Sequence, residues 1–294
     1  MIITKQAAGE RFKIESKNLN SGDQRNLIRE ILQETILCHM KQINLFDDLA
    51  FHGGTSLRIL HRIDRFSEDL DLSLIKPNKK YPFAEKMIVL SDSLEKAGFN
   101  FEFQNKCKPE NPIKKYFIND TTFLNDFRSQ LGDVISGEKI KIKLELDIEP
   151  AGHQQFEDVE IKSLFSAKIK AHNLPTCMGQ KIHAVLCRGE SYGMDIVKGR
   201  DLYDLEWYLN KNIKPNFKNL SACLNRMGPW KEQHRDVDSK WVIDNLNECL
   251  STKNFEAILL DIKPLISAAL FEKLKLRWNL DYFEKIIKNL NTNL

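Results

Sequence analysis

No apolar run in the 294-residue chain approaches the roughly 20 residues that span a bilayer, and the opening MIITKQAAGERFK lacks the apolar stretch of a secretory signal. A soluble, cytoplasmic protein with no membrane partner is therefore expected. Glycine and proline are scarce, at 13 and 9 residues, which excludes collagen-like and low-complexity classes. The six cysteines (Cys38, Cys107, Cys177, Cys187, Cys223 and Cys249) form no C-x-x-C pair, so they read as small buried apolar side chains rather than a zinc ribbon or a disulfide framework. His52, His61, His172 and His183 lack the spacing of a zinc site. An excess of one charge is missing too. Lys and Arg number 44 against 41 Asp and Glu, a net +3, without the global basic field of a nucleic-acid coat protein. A local basic patch is compatible with that balance.

What the chain does have is periodicity. After Ser21, which can form a capping box with Gln24, Leu27, Ile28, Ile31 and Thr35 recur at helical spacing. Leu49-Ala50-Phe51-His52 reads as a short buried strand ended by Gly53-Gly54, Thr55 to His61 as a helix, and Asp69 to Ile75 as a strand. Phe83, Met87, Leu90 and Leu94 mark another helix, and Phe99, Phe101 and Phe103 alternate like a half-buried strand. The clearest strand runs from Lys139 to Ile148. Ile140, Ile142, Leu144, Leu146 and Ile148 share one face, with Lys139, Lys141, Lys143, Glu145 and Asp147 on the other. From about Met178 the pattern turns helical, with stripes at Met178, Ile182, Val185 and Leu186 and at Leu202, Leu205 and Leu209. Two regions are expected: 1–175, a mixed core behind an N-terminal helix, and 176–294, mainly helical. Trp207, Trp230, Trp241 and Trp278 read as packing residues.

The chemistry concentrates between Phe51 and Asp71. A strand, a double glycine and a helix start form an anion site: Gly53 and Gly54 let the backbone approach a phosphate, and Thr55 adds a hydroxyl at the positive helix end. Asp69 and Asp71 follow on a return strand, on one face and about 6.6 Å apart along the chain, with Leu70, Leu72 and Leu74 opposite. Two carboxylates beside a phosphate cradle make a hard-oxygen site suited to Mg²⁺, and two such ions would clamp an in-line phosphoryl displacement. Either half alone is weak, since a D-x-D on a strand is usually a solvated face and Gly-Gly usually a turn. Their order and spacing carry the weight.

This arrangement resembles the nucleotidyltransferase superfamily that includes DNA polymerase β, in which Gly-Gly or Gly-Ser precedes a spacer and Asp-x-Asp. More closely, Gly53-Gly54-Thr55 with Leu57-Arg58, then Arg65-Phe66-Ser67-Glu68-Asp69-Leu70-Asp71, is similar to the AbiEii/AbiGii-type toxin nucleotidyltransferases of bacterial toxin–antitoxin and phage-defence systems. Their relatives, the MenT toxins, modify tRNA. Lys143 to Pro150 falls where the superfamily places a third carboxylate. Asp147 and Glu145 share a face there, so geometry leaves the choice open, with Asp147 preferred. Lys181-Ile182-His183-Ala184, followed by Arg200-Asp201-Leu202-Tyr203-Asp204, matches a hallmark Lys-x-His-Ala helix and Arg-Asp-x-Tyr-Asp run.

The resemblance implies an α+β fold, a polymerase β-like nucleotidyltransferase core (mixed sheet with flanking helices) followed by a helical C-terminal region. It implies Mg²⁺, two ions with Mn²⁺ as a substitute, on Asp69, Asp71 and Asp147 or Glu145. A nucleoside triphosphate (NTP) would be contacted by Gly53, Gly54, Thr55, Arg58, Ser67, Lys181 and Arg200. Asp201 or Asp204 would orient Lys181, the base or the acceptor. Those two acids stand at i and i+3 near a helix start, so an ion-pair network joining two helices is the competing account. Lys168 competes with Lys181 as the phosphate ligand, and Ser163 to Gly179 has no counterpart in the pattern. The implied product is a nucleotidylated acceptor plus pyrophosphate, with tRNA as acceptor and a cognate antitoxin as partner. Three alternatives stand beside this: a small-molecule nucleotidyltransferase, a binding module that has lost catalysis, and a metal nuclease, against which the missing Glu-x-Lys after the aspartates counts.

Overall fold

Strict alternation of apolar and polar residues needs one dry and one wet face, and the chain supplies both. The computed structural model describes residues 3–120, 122–126, 139–161, 166–191 and 197–291. By contact it divides into two compact units, Met1–Pro150 with Glu157–Ala171, and Ala151–Phe156 with His172–Leu294.

The first unit runs α1 (Lys5–Glu15), α2 (Ser21–Gln42), β1 (Leu49–His52), α3 (Gly53–His61), β2 (Asp69–Leu74), α4 (Phe83–Lys96), β3 (Phe101–Asn105), β4 (Ile113–Asp120), a short α5 (Phe123–Asp126), β5 (Ile140–Asp147), β6 (Phe156–Ile161) and β7 (Ala167–His172). The strands form one mixed sheet in the order β3-β4-β5-β2-β1-β7-β6. β2 pairs parallel with β5 and antiparallel with β1, while β4 runs antiparallel to both β3 and β5. Ile140, Ile142, Leu144 and Leu146 are fully buried, and with Leu70, Leu72 and Leu74 they join a core built from Ile28, Ile31 and Leu32 of α2 and Met87, Leu90 and Leu94 of α4. The opposite face keeps its charges.

Several local expectations shift. Asn20, not Ser21, caps α2, its side chain accepting from the Asp23 N–H, because an Asn outside the helix reaches the first unpaired donors. Phe99 is buried ahead of β3 rather than within it. β4 was not expected, since its Lys114-Lys115 pair hides the alternation that follows. The unplaced stretch before Lys181 contains β7, with Lys168 exposed on it; Ser163, Leu164 and Phe165 lie outside the described residues.

The second unit is helical: α6 (Leu174–Ser191), α7 (Gly199–Asn210), α8 (Phe217–Arg226), α9 (Ser239–Ser251), α10 (Phe255–Ile262), α11 (Ala268–Arg277) and α12 (Leu280–Ile287). Asn216, Asp238, Asn254, Ser267 and Asn279 cap the last five of these through their side chains. The Glu206 carboxylate, 2% exposed, accepts from Arg277 Nε at 2.8 Å, Trp278 Nε1 at 2.8 Å and Tyr282 Oη at 2.5 Å, which binds α7 to α11 and α12. A Cβ on Gly199 would overlap the Ile258 carbonyl, so the close approach of α7 to α10 requires glycine there.

Among the described residues no helix is long and apolar enough to cross a membrane. None of the six cysteines is joined in a disulfide among the described residues, and burial pushes the Cys38 thiol up to about 12. Truncating Leu144 to Ala empties a site in the middle of the core and is expected to lower unfolding stability by about 2–5 kcal/mol, read from a denaturant titration. A loss within 0.5 kcal/mol, the scale of ordinary surface substitutions, would show that this strand does not anchor the sheet.

Candidate active site

The site begins with a backbone constraint. Gly53 stands at φ +79°, and a Cβ there would overlap the Asp71 carboxylate. The first glycine thus makes room for the acid. A Cβ on Gly54 would lie 2.5 Å from Arg65 Nη2 and 3.1 Å from Ser67 Oγ, so the second glycine admits the return loop. His52 precedes α3 as its N-cap residue in extended conformation and makes no side-chain cap. The N–H groups of Gly53, Gly54 and Thr55 therefore form the positive start of a nine-residue helix.

Strand pairing then sets the acids. Asp71 lies opposite His52 on β1 and opposite Glu145 on β5, while Asp69 lies opposite Lys143. Lys143 Nζ is 2.9 Å from Asp69 Oδ2 and 3.2 Å from Glu145 Oε2, and Lys115 Nζ holds Glu145 Oε1 at 2.8 Å. Burial pushes the Asp71 carboxyl above its ordinary range; Asp69 and Glu145 add to this, while His52 and Lys143 oppose it. Burial also acts upward on Glu145, but hydrogen bonds and charge from Lys115 and Lys143 outweigh it and hold that carboxyl low. Lys143 is held high because Asp69, Glu145 and Asp71 together overcome its burial. Asp69, Asp71 and Glu145 form an all-oxygen donor set of the kind Mg²⁺ takes. Among the described residues, however, no three such side chains are already converged as ligands. Lys143 stands between two of them.

Other expected site residues have different partners. Asp147 lies opposite Ser73, two positions past Asp71, and its Oδ1 accepts from the Glu149 N–H at 3.0 Å. The register thus separates the two acids and puts Glu145, not Asp147, directly opposite Asp71. Thr55 is fully buried and its hydroxyl donates to the Asp69 carbonyl, so it fastens α3 to β2 rather than offering its side chain to a phosphate. Arg58, expected as a phosphate contact, donates from Nε to Glu30 at 2.6 Å and from Nη1 to the Ile63 carbonyl at 3.0 Å, with its guanidinium 4.6 Å from the Phe66 ring centroid. Glu30 and Glu34 in α2 also engage Arg11. This buried network shapes the loop into Asp69. Sequence reasoning missed it because acids inside a long polar helix look solvated. Arg65, 1% exposed, stands in the sequence motif but was given no role there.

In the second unit Lys181 Nζ lies 2.8 Å from Asp201 Oδ1 and 2.9 Å from Asp204 Oδ2. The helical spacing thus brings all three together, with both acids almost wholly buried. Arg200 lies one residue earlier in the first turn of α7, partly exposed.

The family profile described as the nucleotidyl transferase AbiEii toxin of type IV toxin–antitoxin systems matches residues 35–284, which includes both sets of residues. The chain belongs to the AbiEii family. It is a nucleotidyltransferase. Among solved structures, JHP933 from Helicobacter pylori is similar at 16% identity, with 90% of this chain and 88% of that one covered and a TM-score of 0.46. A second H. pylori chain, solved as a candidate nucleotidyltransferase, gives 17% identity, coverage of 87% and 92%, and a TM-score of 0.45. No curated protein matches the chain significantly.

The two opposed carboxyl shifts carry a test for this AbiEii site. A carboxyl raised in the folded state costs stability when ionised, and that cost disappears as pH falls through its folded pKa. Glu145 has the opposite sign: its contribution is present above the ordinary carboxylate pKa and is lost as pH falls through the lowered one. In EDTA, Asp71→Asn is therefore expected to raise the melting temperature at pH 7, with the gain shrinking steadily toward pH 4. A gain that stays constant with pH, or a loss at pH 7, would contradict a carboxyl raised by burial at Asp71.

Proposed function

We propose that this AbiEii chain transfers a nucleoside monophosphate from an NTP to tRNA, with divalent metal, in the cytoplasm, as the toxin partner of a cognate antitoxin. The observation that carries the proposal is the juxtaposition of Asp69, Asp71 and Glu145 on two paired strands beside the Gly53-Gly54 helix start. In this reading Asp69 and Asp71, joined by Glu145, hold Mg²⁺. Bound there, Mg²⁺ would polarise phosphoryl oxygens and neutralise charge that builds on them. The backbone N–H groups of Gly53, Gly54 and Thr55 receive a phosphate, since helix starts of this kind bind anions without side-chain help. Ser67, next to Gly54, supplies a hydroxyl on the same side.

Lys181 serves the triphosphate by resemblance to the family pattern, with Arg200 beside it. Its two carboxylate partners support a positioning role for Asp201 and Asp204, because an ammonium held from two sides has little freedom left to wander. Lys168 is the weaker candidate: it is exposed on β7 and belongs to no such network among the described contacts. Thr55 and Arg58 act on the fold of the site, through the Asp69 carbonyl and through Glu30.

The acceptor class rests on the resemblance to tRNA-modifying relatives and on membership of a toxin family. Incubating the protein with Mg²⁺, total tRNA and each α-labelled NTP in turn should label tRNA with one nucleotide preferred. Asp69→Asn is expected to lower that labelling by about a hundredfold or more with the fold retained. Label in a small molecule instead of tRNA would move the chain to small-molecule transfer, shortened RNA would indicate a nuclease, and full activity in Asp69→Asn would remove the metal assignment.

A further inference from the structure

We propose that Lys143 and the catalytic metal compete for the same carboxylate oxygens, so that Lys143 is an exchangeable internal counter-cation of the site. The inference rests on the metal reading above and adds what governs metal entry. Lys143 lies directly across the β2–β5 pair from Asp69, and its ammonium bridges Asp69 Oδ2 at 2.9 Å and Glu145 Oε2 at 3.2 Å. These two acids sit on different strands, and Lys143 joins them. Lys115 holds Glu145 through the other oxygen.

Mg²⁺ binds carboxylate oxygens at about 2.1 Å, well inside the reach of an ammonium hydrogen bond. An ammonium and a divalent ion cannot share those oxygens: the space is too small and the charges are alike. The Lys143 side chain is 27% exposed, and its four-carbon stem can carry the charge outward without moving β5. Glu145 keeps Lys115 when Lys143 leaves, so one acid of the set stays oriented during the exchange.

The arrangement makes a specific demand. Lysine keeps three carboxylates from repelling one another and sets a threshold below which divalent metal does not displace it. Removing the ammonium but keeping the stem, in Lys143→Met, should therefore tighten metal binding. The ion pairs are partly exposed, so each is weak, and their joint loss is expected to tighten Mn²⁺ binding about tenfold. The measurement is a Mn²⁺ titration of the full chain followed by electron paramagnetic resonance, without NTP or acceptor, alongside melting temperatures in EDTA. In EDTA, Lys143→Met should melt below the wild type, because the acids lose their counter-ion; at saturating Mn²⁺ the gap should close.

Two further variants separate direct occupation from a general change of charge and guard against a misfolded variant. Lys141→Met removes an ammonium that lies 3.5 Å from the Phe117 ring centroid, on the same strand, and should bind Mn²⁺ as the wild type does. Lys143→Arg keeps the charge and should bind no more tightly than the wild type. Equal Mn²⁺ affinity in wild type and Lys143→Met, or equal tightening in Lys141→Met, overturns the exchange while leaving the metal site in place. Failure of wild type and every variant to bind Mn²⁺ overturns both the exchange and the metal reading.

Discussion

The parallel pairing of β2 with β5 is the constraint from which the site follows. Each strand buries one face in the core, Leu70 and Leu72 on β2 and Leu144 and Leu146 on β5. A slip of one residue in either would turn acids into the core and leucines out, at the cost of burying unpaired charge. The same dry face that stabilises the unit therefore fixes the height at which Asp69, Asp71, Lys143 and Glu145 meet on the wet face. The glycine pair completes the constraint. Gly53 yields its Cβ volume to Asp71, so the helix start and the acid occupy neighbouring space that any other residue would close.

Much of this was readable in the residues. The strict alternation of 140–147 needed no partner strand to identify its faces, and the two-residue spacing of Asp69 and Asp71 put them on one face of β2. Periodicity, however, says which face a residue takes and not what lies opposite. That is why Glu145 and Asp147 were inseparable in the sequence and are distinct in the sheet, one facing Asp71 and the other Ser73. The same gap explains Thr55 and Arg58. Their types and places suited a phosphate, and nothing in the sequence shows that the Thr55 hydroxyl donates to the Asp69 carbonyl and the Arg58 guanidinium to Glu30. Glu30, 4% exposed within a helix of mixed charge, carried no local mark of burial, because its partners come from α1 and α3.

The second unit shows when local spacing is sufficient. Asp201 and Asp204 are an i, i+3 pair on one helix, so their convergence is a property of α7 itself, and only the lysine must be delivered by a neighbouring helix. Glu206, two residues further, had no such signature. Its partners Arg277, Trp278 and Tyr282 are some 70 residues away in the chain, 71, 72 and 76 by number, and no period links them.

The two lysine–carboxylate clusters use the same ingredients with opposite consequences, and exposure decides between them. Lys181 is 13% exposed and its acids 2% and 0%, so withdrawing the ammonium would leave two charges without solvent, which is strongly unfavourable. That pair of contacts fixes a cation in place. Lys143 is 27% exposed against an Asp69 at 23%, and water can take over the solvation of either group as they part. A fixed cation suits a residue that orients a ligand by staying where it is. A loosely held one suits a set of acids that must be kept from repelling each other and still be open to exchange.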